Sequence, residues 1–200
     1  MTQRRHAQQT GHERVPAGQH LTSGFPVLHV GPVPAFDPAT WRLRLFGLVA
    51  EERQFTYAEL TSGTLFPLST VQTDFHCVTT WSKLDNVWEG VKFTDLLTQL
   101  QVRPEAHYVM AHCFQGYTTN IPLADLQRAD VLLAWRHNGA DLSPEHGYPL
   151  RLMVPHLYAW KSAKWLRGLE FMAEDAPGFW EQRGYHMYGD PWREQRYAWD

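Results

Sequence analysis

Two cysteines in 200 residues leave no disulfide scaffold of the kind small secreted domains depend on. An excess of one charge is also missing. Eighteen Lys plus Arg stand against 21 Asp plus Glu, a net charge of −3, which excludes a nucleic-acid binder working by bulk charge. No window reaches the roughly 18 apolar residues of a membrane span. The opening MTQRRHAQQTGHERVPAGQH carries Arg4 and Arg5 with no apolar stretch behind them, so it lacks the core of a secretory signal. These absences set the expectation of a cytoplasmic protein with no nucleic-acid partner and no direct membrane span. Neither GxGxxG nor a P-loop occurs, which argues against a Rossmann or NTP-binding unit.

What is present is an ordinary apolar fraction, 44%, enough for one buried core. Nine Trp, eight Tyr, ten Phe and thirteen Pro suit a loop-rich chain with much local aromatic packing. Residues 1–24 read as a flexible or extended N-terminal arm, and 25–200 as a single domain without repeat or linker. Pro26, Pro32 and Pro34 forbid a helix and favour an extended ribbon. Trp41, Leu43 and Leu45 alternate with Arg42 and Arg44 as in a half-wet strand. Further strands are expected from Val71 to Cys77, at HYVMAH (107–112), at VLLAWRH (131–137), at PLRLMVP (149–155) and at LRGLEFM (166–172). Thr56 and Glu59 form a capping box for a short helix. Thr94 is expected to cap a second helix, and PLADLQR (122–128) to form a third. Asn138-Gly139 is a hairpin turn signal. The aromatic tail from Pro177 reads as coil packed onto the body. Strands and short helices so interleaved indicate an α+β domain with mixed β-sheets.

Two His-Cys pairs, His76-Cys77 and His112-Cys113, raise the idea of a zinc site, but neighbours in a strand point to opposite faces and no CxxC or HxxxH spacing supports it. Cys113 reads as a buried core thiol. Cys77 ends a strand and enters VTTWS, a loop, where a thiol can serve as nucleophile or metal ligand. The late basic cluster is His146, Arg151, His156, Lys161 and Lys164, with Ser162 between the lysines. Such a set can hold a phosphate, and its bland alternative is a solvated loop with surface charges.

Six segments in order, HCVTTWS, WEGVKFTDLL, YVMAHCFQGYTTNIPL, DVLLAWRHNG, HGYPLRLMVPHLYAWKSAKWL and GFWEQRGYH, resemble the molybdopterin-binding domain of the sulfite oxidase family. They are most similar to its bacterial methionine-sulfoxide reductase branch. The resemblance covers residues 25–200 and implies the sulfite-oxidase-type fold. It also implies molybdenum held by the dithiolene of a molybdopterin, in the mononucleotide form without added nucleotide. By the motif, Cys77 is the metal's protein ligand and catalytic residue. The resemblance further places His29, Val30, Cys113, His146, Arg151, Ser162, Ala163 and Lys164 at the cofactor. It implies two-electron oxo transfer on a small-molecule substrate, such as reduction of a sulfoxide, with an unidentified electron-transfer partner and a monomeric protein. Sulfite oxidation is the alternative, less favoured because only His76 precedes the cysteine where sulfite oxidases gather arginines. A non-catalytic cofactor-binding or carrier module is the third reading.

Overall fold

The structure, a computed structural model, describes residues 11–200, so the first ten residues of the expected arm lie outside the described residues. In chain order the strands and helices are β1 (His20–Leu21), β2 (Arg42–Gly47), β3 (Arg53–Thr56), α1 (Tyr57–Thr61), β4 (Ser69–His76), β5 (Trp81–Lys92) and α2 (Phe93–Leu97). There follow β6 (Tyr108–Cys113), β7 (Thr118–Pro122), α3 (Leu123–Leu126), β8 (Leu132–His137), β9 (Ala140–Asp141), β10 (Arg151–Met153) and β11 (Leu166–Met172). One sheet runs β1-β5-β8-β10, with β4 also on β5 and β9 on β8; the other runs β3-β2-β11-β6-β7. β1 lies parallel to β5 and β2 parallel to β11, while the other pairs are antiparallel, so both sheets are mixed. The fold is a mixed α+β domain with short helices. No helix among the described residues is long and apolar enough to cross a membrane.

The core explains the sequence of β8. Leu133 and Trp135 join the main cluster between the sheets with Leu43, Leu45, Leu152 and Leu169. Leu132 and Ala134 point the other way, into a second cluster with Phe75, Trp81 and Trp88. A strand buried on both faces has no wet side, hence its unbroken apolar run. Burial of each leucine contributes about 1.5–3 kcal/mol. In β2 the expected alternation is present: Trp41, Leu43 and Leu45 are buried and Arg44 is exposed. The capping box of α1 is formed, the Glu59 N–H donating to Thr56 Oγ1 at 3.2 Å and the Thr56 N–H to Glu59 Oε2 at 2.7 Å. Asn138 and Gly139 both take positive φ, 50° and 80°, as the tight β8–β9 turn requires.

Three expectations need correction. Thr94 does not cap α2: the cap position falls two residues earlier, at Lys92, which makes no side-chain cap bond. The twelve-residue β5 is the longest strand, and it takes in Trp81 and Ser82, which read as loop. Its period-two signal is hidden by Asp85 at φ 56° and by register shifts opposite Thr73/Phe75 and at Glu89/Gly90. The basic cluster is not a solvated loop at Lys161, which is fully buried. Burial there is possible because Lys161 Nζ reaches Glu181 Oε1 at 2.6 Å, Asn120 Oδ1 at 2.8 Å and the Met187 carbonyl at 2.7 Å.

At the β5 bulge the backbones of β5 and β8 touch at Gly90, where an added Cβ would fall on the Leu133 carbonyl. Gly90→Ala therefore lowers the unfolding free energy by about 1–3 kcal/mol, the usual cost of overpacking. Urea denaturation reads this directly, and an unchanged midpoint contradicts the packing.

Candidate functional site

A cavity of about 370 Å³ opens beside the second apolar cluster, a size suited to a small-molecule or cofactor site. Its walls come from the ends of β4 and β10, the ribbon of residues 25–30, the segment between β10 and β11, and the tail. Cys77, Arg151, Ser162, Ala163, Lys164, His29 and Val30 all line it. Cys113 and His146 do not.

Register places Arg151. It pairs with Ala134, so its side chain leaves the sheet on the face that carries the second cluster. Its guanidinium lies 5.0 Å from the Phe75 ring centroid and 5.8 Å from that of Trp88, within cation–π range. Only 2% of the residue is exposed, no carboxylate pairs with it among the described residues, and its Nε is buried without a hydrogen-bond partner. Burial pulls its pKa down to about 10.

Arg151 and Lys164 share an anchor. The 3-10 turn Pro144–His146 presents three successive carbonyls. The Pro144 carbonyl accepts from Trp165 Nε1 at 2.8 Å, the Glu145 carbonyl from Lys164 Nζ at 2.6 Å, and the His146 carbonyl from Arg151 Nη1 at 3.0 Å. A helix end leaves such carbonyls unpaired, and here they orient two cations without neutralising them. Gly147 follows at φ 115°, and a Cβ there would sit 3.2 Å from the Cβ atoms of both Arg151 and Lys164. Lys164 Nζ also donates to the Leu28 carbonyl at 2.7 Å, tying down the ribbon. Burial, then the Arg151 charge, pull the Lys164 pKa down to about 7. Among the described residues the backbone N–H groups of Ala163 and Lys164 donate to no protein acceptor. Two cations and two free donors on one wall are the kind of groups that can hold an anion.

Cys77 is a free thiol, 7% exposed, at the opening of a tight turn in which its N–H donates to the Trp81 carbonyl at 2.9 Å. Its Sγ lies 3.2 Å from Thr79 Oγ1. Cys113 is different: it packs in the main core, and burial pushes its thiol well up from the ordinary range. His146 stands behind the ribbon. The Phe25 carbonyl only accepts, so His146 Nε2 carries the proton to it at 3.0 Å and Nδ1 accepts from the Ser143 hydroxyl at 2.8 Å. Its ring stacks on Phe25 at 4.0 Å, so it positions the ribbon. Ser162 Oγ accepts from the Val154 N–H at 2.9 Å. His29 Nδ1 contacts the Gly31 carbonyl at 2.9 Å, and its ring meets Trp165 edge-on. His156 faces away, to Asp125, and Lys161 is engaged with Glu181. Of the late basic cluster, only Arg151 and Lys164 line the cavity.

Sequence reasoning missed the aromatic wall. Tyr117, Trp81, Trp180 and Tyr185 line the cavity. Tyr117 donates its hydroxyl to the Trp160 carbonyl at 2.6 Å. The density of aromatics in the tail was the available signal, but it gave no direction. Among the described residues no group of three or more His, Cys, Asp or Glu could hold a metal ion.

The model of the oxidoreductase molybdopterin binding domain matches residues 30–180. The chain is 50% identical to the uncharacterized oxidoreductase YuiH of Bacillus subtilis, over 98% of this chain and 97% of that protein. It is 31% identical to YedZ1 of Azospira oryzae, provisionally named a protein-methionine-sulfoxide reductase subunit, over 76% of this chain and 57% of that one. The sulfane dehydrogenase SoxCD of Paracoccus pantotrophus has the same fold, with a TM-score of 0.68 at 24% identity over 79% of this chain and 44% of that one. The chain thus spans nearly all of the first relative and about half of the other two.

The Lys164 shift carries a sign. The unfolded chain keeps that proton to the ordinary value of 10.5, whereas the folded protein releases it near 7. Between these values the unfolded state binds more protons, so stability rises with pH across the window. Urea unfolding of ligand-free protein at pH 7 and pH 9.5 is expected to show that rise, and Lys164→Met to flatten it. An identical slope in the variant contradicts the assignment.

Proposed function

The chain belongs to the oxidoreductase molybdopterin binding domain family, and from that premise we propose that it is a molybdenum-pterin oxidoreductase acting on a small oxidised substrate. The observation that carries this reading is the pairing in one cavity of a free thiol, Cys77, with a buried cation, Arg151, that no carboxylate pairs among the described residues. The residues fit the implied group. With no set of three protein ligands among the described residues, a metal here would need donors besides Cys77, and one soft thiolate suits a centre otherwise bound by sulfur. A molybdenum pterin supplies, when bound, two-electron redox chemistry coupled to oxygen-atom exchange.

The chain's own residues do the rest. Cys77 donates its thiolate to the metal from a turn fixed by backbone bonds. Arg151, Lys164 and the free N–H groups of Ala163 and Lys164 would hold the phosphate of the plain form, which carries no added nucleotide. Phe25, Leu28, His29 and Val30 form the wall that excludes water on the ribbon side, and His146 positions that wall through Phe25. Cys113 supports the opposite, aromatic wall from behind, its N–H donating to the Tyr117 carbonyl at 2.9 Å.

The substrate we propose is a neutral oxide such as a sulfoxide: the sulfoxide takes up two electrons and two protons, its sulfur–oxygen bond breaks, and a thioether and water are formed. The cavity's other wall is aromatic, from Trp81, Tyr117, Trp180 and Tyr185, and Arg151 and Lys164 are already committed to the phosphate. A sulfite dianion would need further cations. His76 is not one of them, since it is buried and hydrogen-bonded to Ser82, away from the cavity lining. Electrons come from a separate partner protein.

Cys77→Ser tests the reading. The variant is expected to fold and to keep its pterin, while sulfoxide reduction from a reduced dye falls by at least about 100-fold. Wild-type turnover in the variant contradicts the ligand role. Wild-type protein that turns over sulfite but not sulfoxide contradicts the substrate, and a full cofactor load with no turnover on either contradicts the enzyme.

A further inference from the structure

The turn that presents Cys77 is held from outside by two segments far apart in sequence. Within the turn, the Thr80 N–H donates to the Cys77 carbonyl at 3.0 Å, and Thr80 takes the left-handed φ of 72°. A five-residue turn with a strained residue does not hold one thiol direction by itself. Three of its carbonyls point outward, and each finds a donor. Cys77 O accepts from Gln19 Nε2 at 3.2 Å, and Thr80 O accepts from the His20 N–H at 2.8 Å. Val78 O accepts from Arg196 Nη1 at 2.9 Å.

Arg196 ties the two outer segments to each other. Its Nη2 lies 3.5 Å from the Ala17 carbonyl, so one guanidinium spans the Cys77 turn and the segment that leads into β1. It lies 5.1 Å from the Tyr158 ring centroid and is mostly buried. Its nearest carboxylate, that of Glu194, is 3.9 Å away and half exposed, too far for a hydrogen bond. Its own backbone is fixed in turn: the Arg196 N–H donates to Asp200 Oδ2 at 2.9 Å, and its carbonyl accepts from the His186 N–H at 3.2 Å.

We propose that Arg196 is a positioning residue for the metal's protein ligand: by clamping the Val78 carbonyl against the 17–20 segment, it fixes where Cys77 Sγ points. The inference rests on the reading of Cys77 as that ligand, but its first test needs no metal. The planar fork matters, because it reaches two carbonyls at once, which an ammonium reaches less well.

The experiment uses the full chain prepared without cofactor and a thiol reagent, with the two cysteines followed separately by peptide mass. In Arg196→Ala the labelling of Cys77 is expected to quicken about tenfold, the factor that a charge-assisted hydrogen bond of about 1.4 kcal/mol is worth. Cys113, in the main core, keeps its slow rate. Arg196→Lys, with charge and one donor retained, returns most of the way to wild type. A general loosening of the fold would quicken both cysteines together, and that result overturns the proposal, as does an unchanged Cys77 rate. If Arg196→Ala does not fold, Arg196→Met, which keeps an apolar stem against Tyr158 but no donor to the Val78 carbonyl, is read the same way. In cofactor-loaded protein the midpoint potential is expected to shift in Arg196→Ala and to be restored in Arg196→Lys; an unmoved potential also counts against the clamp. Failure of the labelling test leaves the Cys77→Ser result standing, so the two ideas fall separately.

Discussion

A guanidinium buried without a counter-charge is the constraint around which this molecule is arranged. Removing a lone ion from water costs several kcal/mol even after relaxation. Arg151 recovers part of that through the faces of Phe75 and Trp88 and one bond to the His146 carbonyl, and its Nε still goes unpaired. On the reading proposed above, an anion completes it. Much of the local architecture serves that end. Glycine at 147 leaves room beside both cations, the 3-10 turn lends its carbonyls, and Phe25 closes one side.

Lys164 extends the same principle. Its ammonium is satisfied by two carbonyls, which orient it while leaving its charge uncompensated. Lys161, three residues earlier, has the opposite solution: a carboxylate, a side-chain amide and backbone carbonyls saturate it inside the fold. Two lysines in one short segment thus divide the work, one locking the tail to the body and one facing the cavity. The backbone between them does the sorting, since Ser162 fixes the segment to Val154.

The legible parts of the fold were those in which local and tertiary signals agree. The capping box at Thr56 and Glu59, the wet-face alternation of β2, the doubly buried run of β8 and the Asn138-Gly139 turn each state their structure within a few residues. β5 was hidden because two register shifts and a left-handed Asp85 scramble its period, and only the partners β4 and β8 define it. Thr94 failed as a cap because the preceding Phe93 is drawn into the core, which starts the helix two residues early. At the site, the strand end at Cys77 and the late basic cluster around Arg151 could be read from residue type and position. The aromatic wall and the role of Gly147 could not, since both depend on chain segments meeting across the whole sequence. The sequence likewise offered no means of telling Lys161 from Lys164, because their partners lie more than 15 residues away.

The measurement that bears most directly on the anion receptor compares Arg151→Met with wild type, each with and without cofactor. Removing an uncompensated buried charge relieves desolvation, so the cofactor-free variant is expected to be as stable as cofactor-free wild type, or more so. Cofactor raises the wild-type midpoint because it binds the folded state alone, and that rise is expected to be largely lost in the variant. A cofactor-free variant several kcal/mol less stable than wild type, with the cofactor-dependent rise intact, would show that Arg151 holds the fold together and does not receive the anion.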